Sequence, residues 1–198
     1  MLAERTAAAK GYKKSTARDY FESICIAVIL ALFVRTFVVQ AFKIPSGSME
    51  NNLLIGDHLL VNKFVFAPTL TSLERTLLPI DPVRRGDILV FKGPEEPERD
   101  LIKRVIGLPG ETIEMTNCVV TINGRVLKEP YLDPAIVTPT SCGPNFPAEV
   151  VPKDHVFVMG DNRANSGDSR GQLGFVDYDQ IVGRAFVVVW PKDDWEWL

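Results

Sequence analysis

The sequence predicts a mainly β domain preceded by one N-terminal transmembrane helix. Three observations carry this: a membrane-length apolar run near the N-terminus, a succession of short β-patterned runs after it, and hardly any amphipathic-helix periodicity in the remainder. The 198 residues, 46% hydrophobic and 24% charged, suffice for one medium domain with an appendage and a real core. A formal charge of -3 with no basic stripe gives no sign of nucleic acid as a partner. There is no internal repeat or low-complexity tract, and nothing in the sequence sets an oligomeric state.

Arg5, Lys10, Lys13, Lys14 and Arg18 precede an apolar run from Ser23 to Phe42 that only Arg35 interrupts. About 20 apolar residues span a bilayer, and Arg35 lies towards the distal end, where its stem can snorkel. Only Lys43 adds basic charge just after the run. The positive-inside rule then keeps residues 1–21 in the cytoplasm, makes 22–42 an uncleaved signal anchor and exports 43–198. Two alternatives compete with the anchor. A cleavable signal peptide would end in small residues, which Val39-Gln40-Ala41 loosely fits. A buried core helix is disfavoured by the basic flank.

After Asp57 the pattern is β. His58–Phe66 is rich in β-branched and aromatic residues, whereas 67–82 carries Pro68, Pro79 and Pro82 and reads as irregular. Gly86–Lys92 reads as a strand behind a turn, 93–100 as a charged turn, and Leu101–Gly110 as a strand ending in Pro-Gly. Val119–Leu127 places Asn123-Gly124 between two apolar runs, the signature of a type I′ hairpin. Glu129–Pro152, with prolines at 130, 134, 139, 144, 147 and 152, is expected to be a long surface excursion. His155–Met159 reads as a buried strand, 160–174 as a polar loop, and Ile181–Trp190 as the closing strand.

Candidate chemistry gathers in three places. In Phe42–Asp57, Ser46 and Ser48 flank Gly47 behind Pro45, which fixes its own φ and pushes Ile44 towards an extended conformation. A polar loop after a membrane helix uses the same residues, so this stretch alone does not decide. The polar loop 160–174 superficially suggests calcium, but Asp161, Asn165 and Asp168 lack the alternating ligand spacing and no closing Glu follows. His58 and His155 lie far apart with no paired-ligand spacing, so no metal or other cofactor is expected. A Ser-His-Asp triad assembled in space stays open on these residues, although both histidines sit at strand starts.

Lysine is the remaining base. Strand alternation puts Leu101, Lys103 and Val105 on one face and Ile102, Arg104 and Ile106 on the other. Burial among apolar neighbours would depress the Lys103 pKa and leave a neutral amine able to take a serine proton. A snorkelling lysine covering the sheet fits the same pattern.

Taken together, the boxes Ile44-Pro-Ser-Gly-Ser-Met49, Gly56-Asp57, Lys103-Arg-Val-Ile-Gly-Leu-Pro-Gly110 and Gly160-Asp-Asn-Arg-Ala-Asn-Ser-Gly-Asp-Ser-Arg170 resemble, in order, those of the bacterial type I signal peptidases. The resemblance implies a signal-peptidase-like β catalytic domain, with Ser48 as nucleophile and Lys103 as general base. It implies an oxyanion hole from the Ser46 hydroxyl and the Ser48 N–H, and Ser166 orienting the lysine. Asp161, Asp168 and Arg170 would support the site through a buried ion pair and hydrogen bonds. Phe42, Ile44, Met49, Leu53 and Ile102 would line shallow pockets admitting Ala-x-Ala-type residues. The implied partners are signal peptides of secretory preproteins and the lipid bilayer. The implied location is the bacterial inner membrane, single-pass with a cytoplasmic N-terminus, with Trp190, Trp195 and Trp197 near the lipid interface.

Three departures are visible: Glu50-Asn51-Asn52 before Leu53, Glu111 where Asp is usual, and Ala164 where an acidic residue is common. Cys25 lies in the apolar run, while Cys118 and Cys142 fall where an oxidising compartment permits a disulfide. A membrane-tethered scaffold on the same fold would be marked by loss of Ser48 or Lys103. Self-cleaving repressors share the serine–lysine chemistry but carry a DNA-binding domain where this chain has an apolar run.

Overall fold

The computed structural model describes residues 16–50, 52–63, 82–94, 98–135, 137–138, 142–191 and 196–198. Thr16–Phe33 form helix α1, which has no buried side chain. It passes through a π-helical turn at Val34–Val38 into strand β1, Val39–Lys43. The transmembrane helix expected over 22–42 does not form as such: the α-helix ends at Phe33 and residues 39–42 lie in a strand. β1 pairs antiparallel with β2 (His58–Asn62), from Val39↔Asn62 to Lys43↔His58, so these backbone groups are satisfied across a sheet. Val39-Gln40-Ala41 is thus an edge strand of the folded domain. Among the described residues no helix is long and apolar enough to cross a membrane. α1 carries Arg18, Asp19 and Glu22 in its first two turns, with Arg18 paired to Glu22 at 2.8 Å.

The remaining strands are β3 (Ile88–Lys92), β4 (Asp100–Gly107), β5 (Thr112–Thr116), β6 (Val119–Ile122), β7 (Arg125–Val126), β8 (Phe146–Val150), β9 (His155–Met159), β10 (Val176–Asp177), β11 (Ile181–Trp190) and β12 (Glu196–Trp197). They build two antiparallel sheets. The larger runs β1-β2-β11-β3-β4-β9-β10, with β12 added to β11, and the smaller runs β7-β6-β5-β8. The mainly β expectation is met.

Strand alternation sorts the apolar residues into cores on both faces of the large sheet. Ile88 and Val90 of β3 and Ile102 of β4 join Ile44, Met49, Leu53 and Leu59. Leu89, Phe91, Val105 and Val158 face the other way. A third cluster sets Ile106, Phe157 and Met159 against Ile113, Met115 and Val120 of the small sheet. Being covered on both faces explains why β3 reads as a continuous apolar run although its neighbours are antiparallel.

Local readings fare unevenly. Asn123 and Gly124 both take positive φ, 52° and 75°, as a type I′ hairpin requires. The excursion 129–152 is not wholly irregular, since it contains β8. Pro147 is tolerated there because β8 is an edge strand and the β5–β8 ladder has a register shift beside it. Residues 64–81, read as the end of a strand and an irregular connection, lie outside the described residues, as does Trp195. Trp190 and Trp197 are largely exposed.

Gly183 in β11 marks the tightest strand packing. A Cβ there would lie 2.5 Å from the Asn62 carbonyl oxygen and 2.6 Å from Val61 Cγ1. Gly183→Ala is expected to destabilise the domain by about 1–3 kcal/mol, the usual cost of overpacking. Urea unfolding checks this, and an unchanged midpoint contradicts it.

Candidate active site

The segment Ile44–Asp57 is a closed loop whose base is knitted by its own backbone. The Ile44 N–H donates to the Asp57 carbonyl at 2.9 Å, and the Gly56 N–H donates to the Ile44 carbonyl at 3.0 Å. The Asp57 carboxylate accepts the Leu54 N–H at 2.8 Å. Gly56 has φ 101°, a value that favours glycine and lets the chain turn back. Met49 and Leu53 are fully buried below, so the loop is plugged into the core. At its tip Gly47–Met49 form a single 3-10 turn that carries Ser48.

Lys103 comes from β4, in the middle of the large sheet, opposite Leu89. Its side chain is buried, 3% exposed, and Nζ lies 2.7 Å from Ser48 Oγ and 2.9 Å from the Ile102 carbonyl oxygen, donating to both. Burial lowers its pKa from 10.5 to about 8. The Arg99 charge pushes the same way, while Asp168 and Asp161 oppose it. In the neutral amine the same short separation lets the hydroxyl donate to the nitrogen lone pair. The pair sits in a cleft of about 420 Å³ also lined by Ser46, Arg99, Leu101, Asn165, Gln172 and Leu173.

The loop after β9, polar in sequence, is packed inside. Asp161 is 1% exposed and accepts from Arg104 Nε at 2.8 Å and Nη2 at 2.6 Å, with Asn52 Nδ2 adding a third bond at 2.8 Å. The Arg104 guanidinium also stacks 4.1 Å from the Tyr131 ring centroid. Asp168 accepts from Arg170 Nε and Nη2 at 2.8 and 2.7 Å and from the Gly160 N–H at 3.1 Å. Burial alone would raise the Asp168 carboxyl, but these donors outweigh it and hold the group below its ordinary value. Arg163 forms a third buried pair with Glu129, and burial together with Glu129 raises the Tyr131 hydroxyl. Arg170 also donates to the carbonyl of Cys142, which is disulfide-bonded to Cys118.

The structure brings Ser46, Ser48 and Lys103 together on one cleft. Asp168 and Arg170 form one ion pair beside it, whereas the partner of Asp161 is Arg104. Ser166 Oγ is buried beside Asp168, whose carboxyl it helps to hold low, and it makes no bond to Lys103, whose bonds run to Ser48 and Ile102. Phe42, Ile44 and Ile102 line a small hollow of about 20 Å³ with Leu59 and Val90. Met49 and Leu53 belong to the core behind it.

Sequence reasoning missed Arg104, Glu129 and Arg163, although alternation had put Arg104 on a face with Ile102 and Ile106. A charge on an apolar face needs a buried partner, and that was the available signal. The departures also find physical roles. Asn52 bonds Asp161, and Glu111 bonds both Arg85 at 2.5 Å and the Leu108 N–H at 2.7 Å. Ala164 is exposed.

A serine hydroxyl in short contact with a buried lysine of lowered pKa, on a mainly β scaffold, defines a hydrolase of the serine–lysine class. The chain belongs to the family described as signal peptidase, peptidase S26, whose family profile matches residues 17–190. It is 34% identical to signal peptidase I of Pseudomonas aeruginosa, over 87% of this chain and 73% of that protein. With signal peptidase I P of Bacillus subtilis subsp. natto the identity is 40%, over 91% and 93%. A crystal structure of a signal peptidase I from Enterococcus faecalis aligns with 52% of this chain and 95% of its own, at 36% identity and TM-score 0.46.

Asp161→Ala leaves Arg104 buried and without its carboxylate, a change that typically costs about 3–5 kcal/mol. A fall in thermal midpoint is therefore expected, and calorimetry checks it. A midpoint within a degree of the parent contradicts it.

Proposed function

We propose that this protein is a membrane-bound endopeptidase that removes N-terminal signal peptides from exported preproteins after small residues. The carrying observation is the 2.7 Å separation of Ser48 Oγ and a desolvated Lys103 Nζ. Family membership supplies the substrate class, and the cleft supplies the room.

Neutral Lys103 accepts the Ser48 proton as Oγ attacks the scissile carbonyl. The oxyanion that forms is held by the Ser48 N–H and the Ser46 hydroxyl. Each such donor contributes roughly 3 to 4 kcal/mol of transition-state stabilisation. The 3-10 turn leaves its first N–H groups without intrahelical acceptors, which favours this assignment. The protonated lysine gives its proton to the leaving amine, and the mature chain departs. Lys103 then takes a proton from water as its oxygen attacks the acyl carbonyl, and returns that proton to Ser48 Oγ as the ester bond breaks and the acyl product leaves. Asp161, Asp168 and Arg170 act through packing, as charges fixed around the lysine. The hollow beside Phe42, Ile44 and Ile102 has space for one or two water-sized spheres, which matches an alanine methyl and excludes long side chains.

Membrane attachment belongs to the same reading. In α1, Tyr20, Phe21, Ile24, Ile29 and Phe33 expose half to two-thirds of their surface, and no residue of the helix is buried. From Ser23 to Phe33 the helix is apolar around its circumference and without protein cover, which suits lipid. The basic residues before it belong on the cytoplasmic side, with the domain from Val39 onward outside.

In detergent, with a synthetic preprotein bearing an Ala-x-Ala site, Ser48→Ala and Lys103→Met are each expected to lose at least about 1,000-fold in kcat. Ser48→Ala retaining activity contradicts the nucleophile assignment. Activity of the parent should rise with pH through a midpoint near 8, since the working form of Lys103 is the deprotonated one. The stability sign runs the same way. The folded-state pKa lies below the unfolded value, so the unfolded chain binds more protons between about 8 and 10.5 and stability rises with pH there. Lys103→Met is consequently expected to be inactive yet at least as heat-stable as the parent at pH 7, a combination that rules out misfolding as the cause.

Attachment is checked by vesicle flotation. Ile24→Asp with Ile29→Asp is expected to abolish co-flotation while leaving cleavage in detergent intact. Undiminished flotation contradicts the role given to α1.

A further inference from the structure

We infer that Asn162 is a positioning residue that sets the aim of the oxyanion-binding N–H and of the nucleophile together. The inference rests on the reading of Ser48 as nucleophile. Asn162 brackets Ser48 on both sides: its backbone N–H donates to the Ser48 carbonyl at 3.1 Å, and its Nδ2 donates to the Gly47 carbonyl at 3.0 Å. Those two carbonyls belong to the peptide planes on either side of the Ser48 Cα. In a trans peptide the C=O and N–H point in opposite directions within one rigid plane. Fixing the Gly47 carbonyl therefore fixes the direction of the Ser48 N–H, and holding both planes fixes the Ser48 Cα–Cβ vector towards Lys103.

The side-chain amide has no freedom to turn over. Its second bond runs to Glu50 Oε2 at 3.3 Å, so both partners are acceptors and only Nδ2 satisfies them. Glycine at 160 brings the strand end close enough for this clamp. A Cβ on Gly160 would lie 2.4 Å from the Ser48 carbonyl oxygen and 2.3 Å from Ser166 Oγ. The Asn165 N–H in turn holds the Asn162 carbonyl at 3.1 Å. Asn162 does not itself line the cleft and makes no hydrogen bond to Lys103, so its effect on the reaction passes through Ser48.

The test is steady-state cleavage of the synthetic preprotein by Asn162→Ala and the isosteric Asn162→Asp, each alone and combined with Ser46→Ala. Expected is a fall in kcat of about 10- to 100-fold, the scale of a misaimed oxyanion donor. KM should stay within about twofold, and in Asn162→Ala, which adds no charge, the pH midpoint should remain near 8 because Lys103 is untouched. In the Ser46→Ala background the loss should be smaller, since the two donors serve one oxyanion. Asn162→Asp keeps volume and backbone, so it reads the clamp even if Asn162→Ala folds poorly. Unchanged kcat in Asn162→Asp, a moved pH midpoint in Asn162→Ala, or fold-losses that simply multiply with Ser46→Ala would each overturn the inference. Retained cleavage by Ser48→Ala would instead remove the nucleophile reading beneath it.

Discussion

An amine is neutral near neutral pH only if it is taken out of water, and out of water it must still be hydrogen-bonded. That constraint on Lys103 organises the molecule. The central strand β4 supplies a position covered on both faces, the neighbouring carbonyl of Ile102 accepts one N–H, and Ser48 takes the other contact. Nearby carboxylates would restore the charge if left bare. Asp168 is therefore engaged by Arg170, and Asp161 by Arg104 on the opposite face of the strand.

The three buried ion pairs serve one loop. Residues 160–170 carry the groups that a solvated turn would carry, yet Asp161, Arg163, Asp168 and Ser169 are all buried. Burying that many polar groups is tolerated because the charged ones are paired and bonded to backbone as well. A rigid polar wall results, and the nucleophile turn leans against it through Gly160 and Asn162. Stability and site geometry thus share the same hydrogen bonds.

Much of this was legible in the chain. Periodicity located most strands, the Asn123-Gly124 turn was readable from two residues, and alternation placed Lys103 among apolar neighbours. Four ordered boxes implied the pairing of Ser48 and Lys103, residues 55 positions apart, and only the fold brings them within hydrogen-bond reach. What failed did so where tertiary context outweighs local pattern. Val39–Phe42 is as apolar as the helix before it, and only the partner strand β2 decides that it is extended. Pro147 argued against a strand, and only an edge position with a register shift admits one. The partners of Asp161 lie 57 and 109 positions away, beyond anything local pattern encodes.

The π-turn that ends α1 runs without a linker into β1, and β1 runs into the nucleophile loop. Val38 and Ser48 are ten positions apart, and half of those positions are β1, hydrogen-bonded along its length to β2. Such a connection has fixed reach rather than slack. Whatever holds the helix also sets the height of the reacting hydroxyl above it, so the chain works as a ruler as well as a blade. Length, and not sequence alone, then decides which bonds of a passing polypeptide come within range.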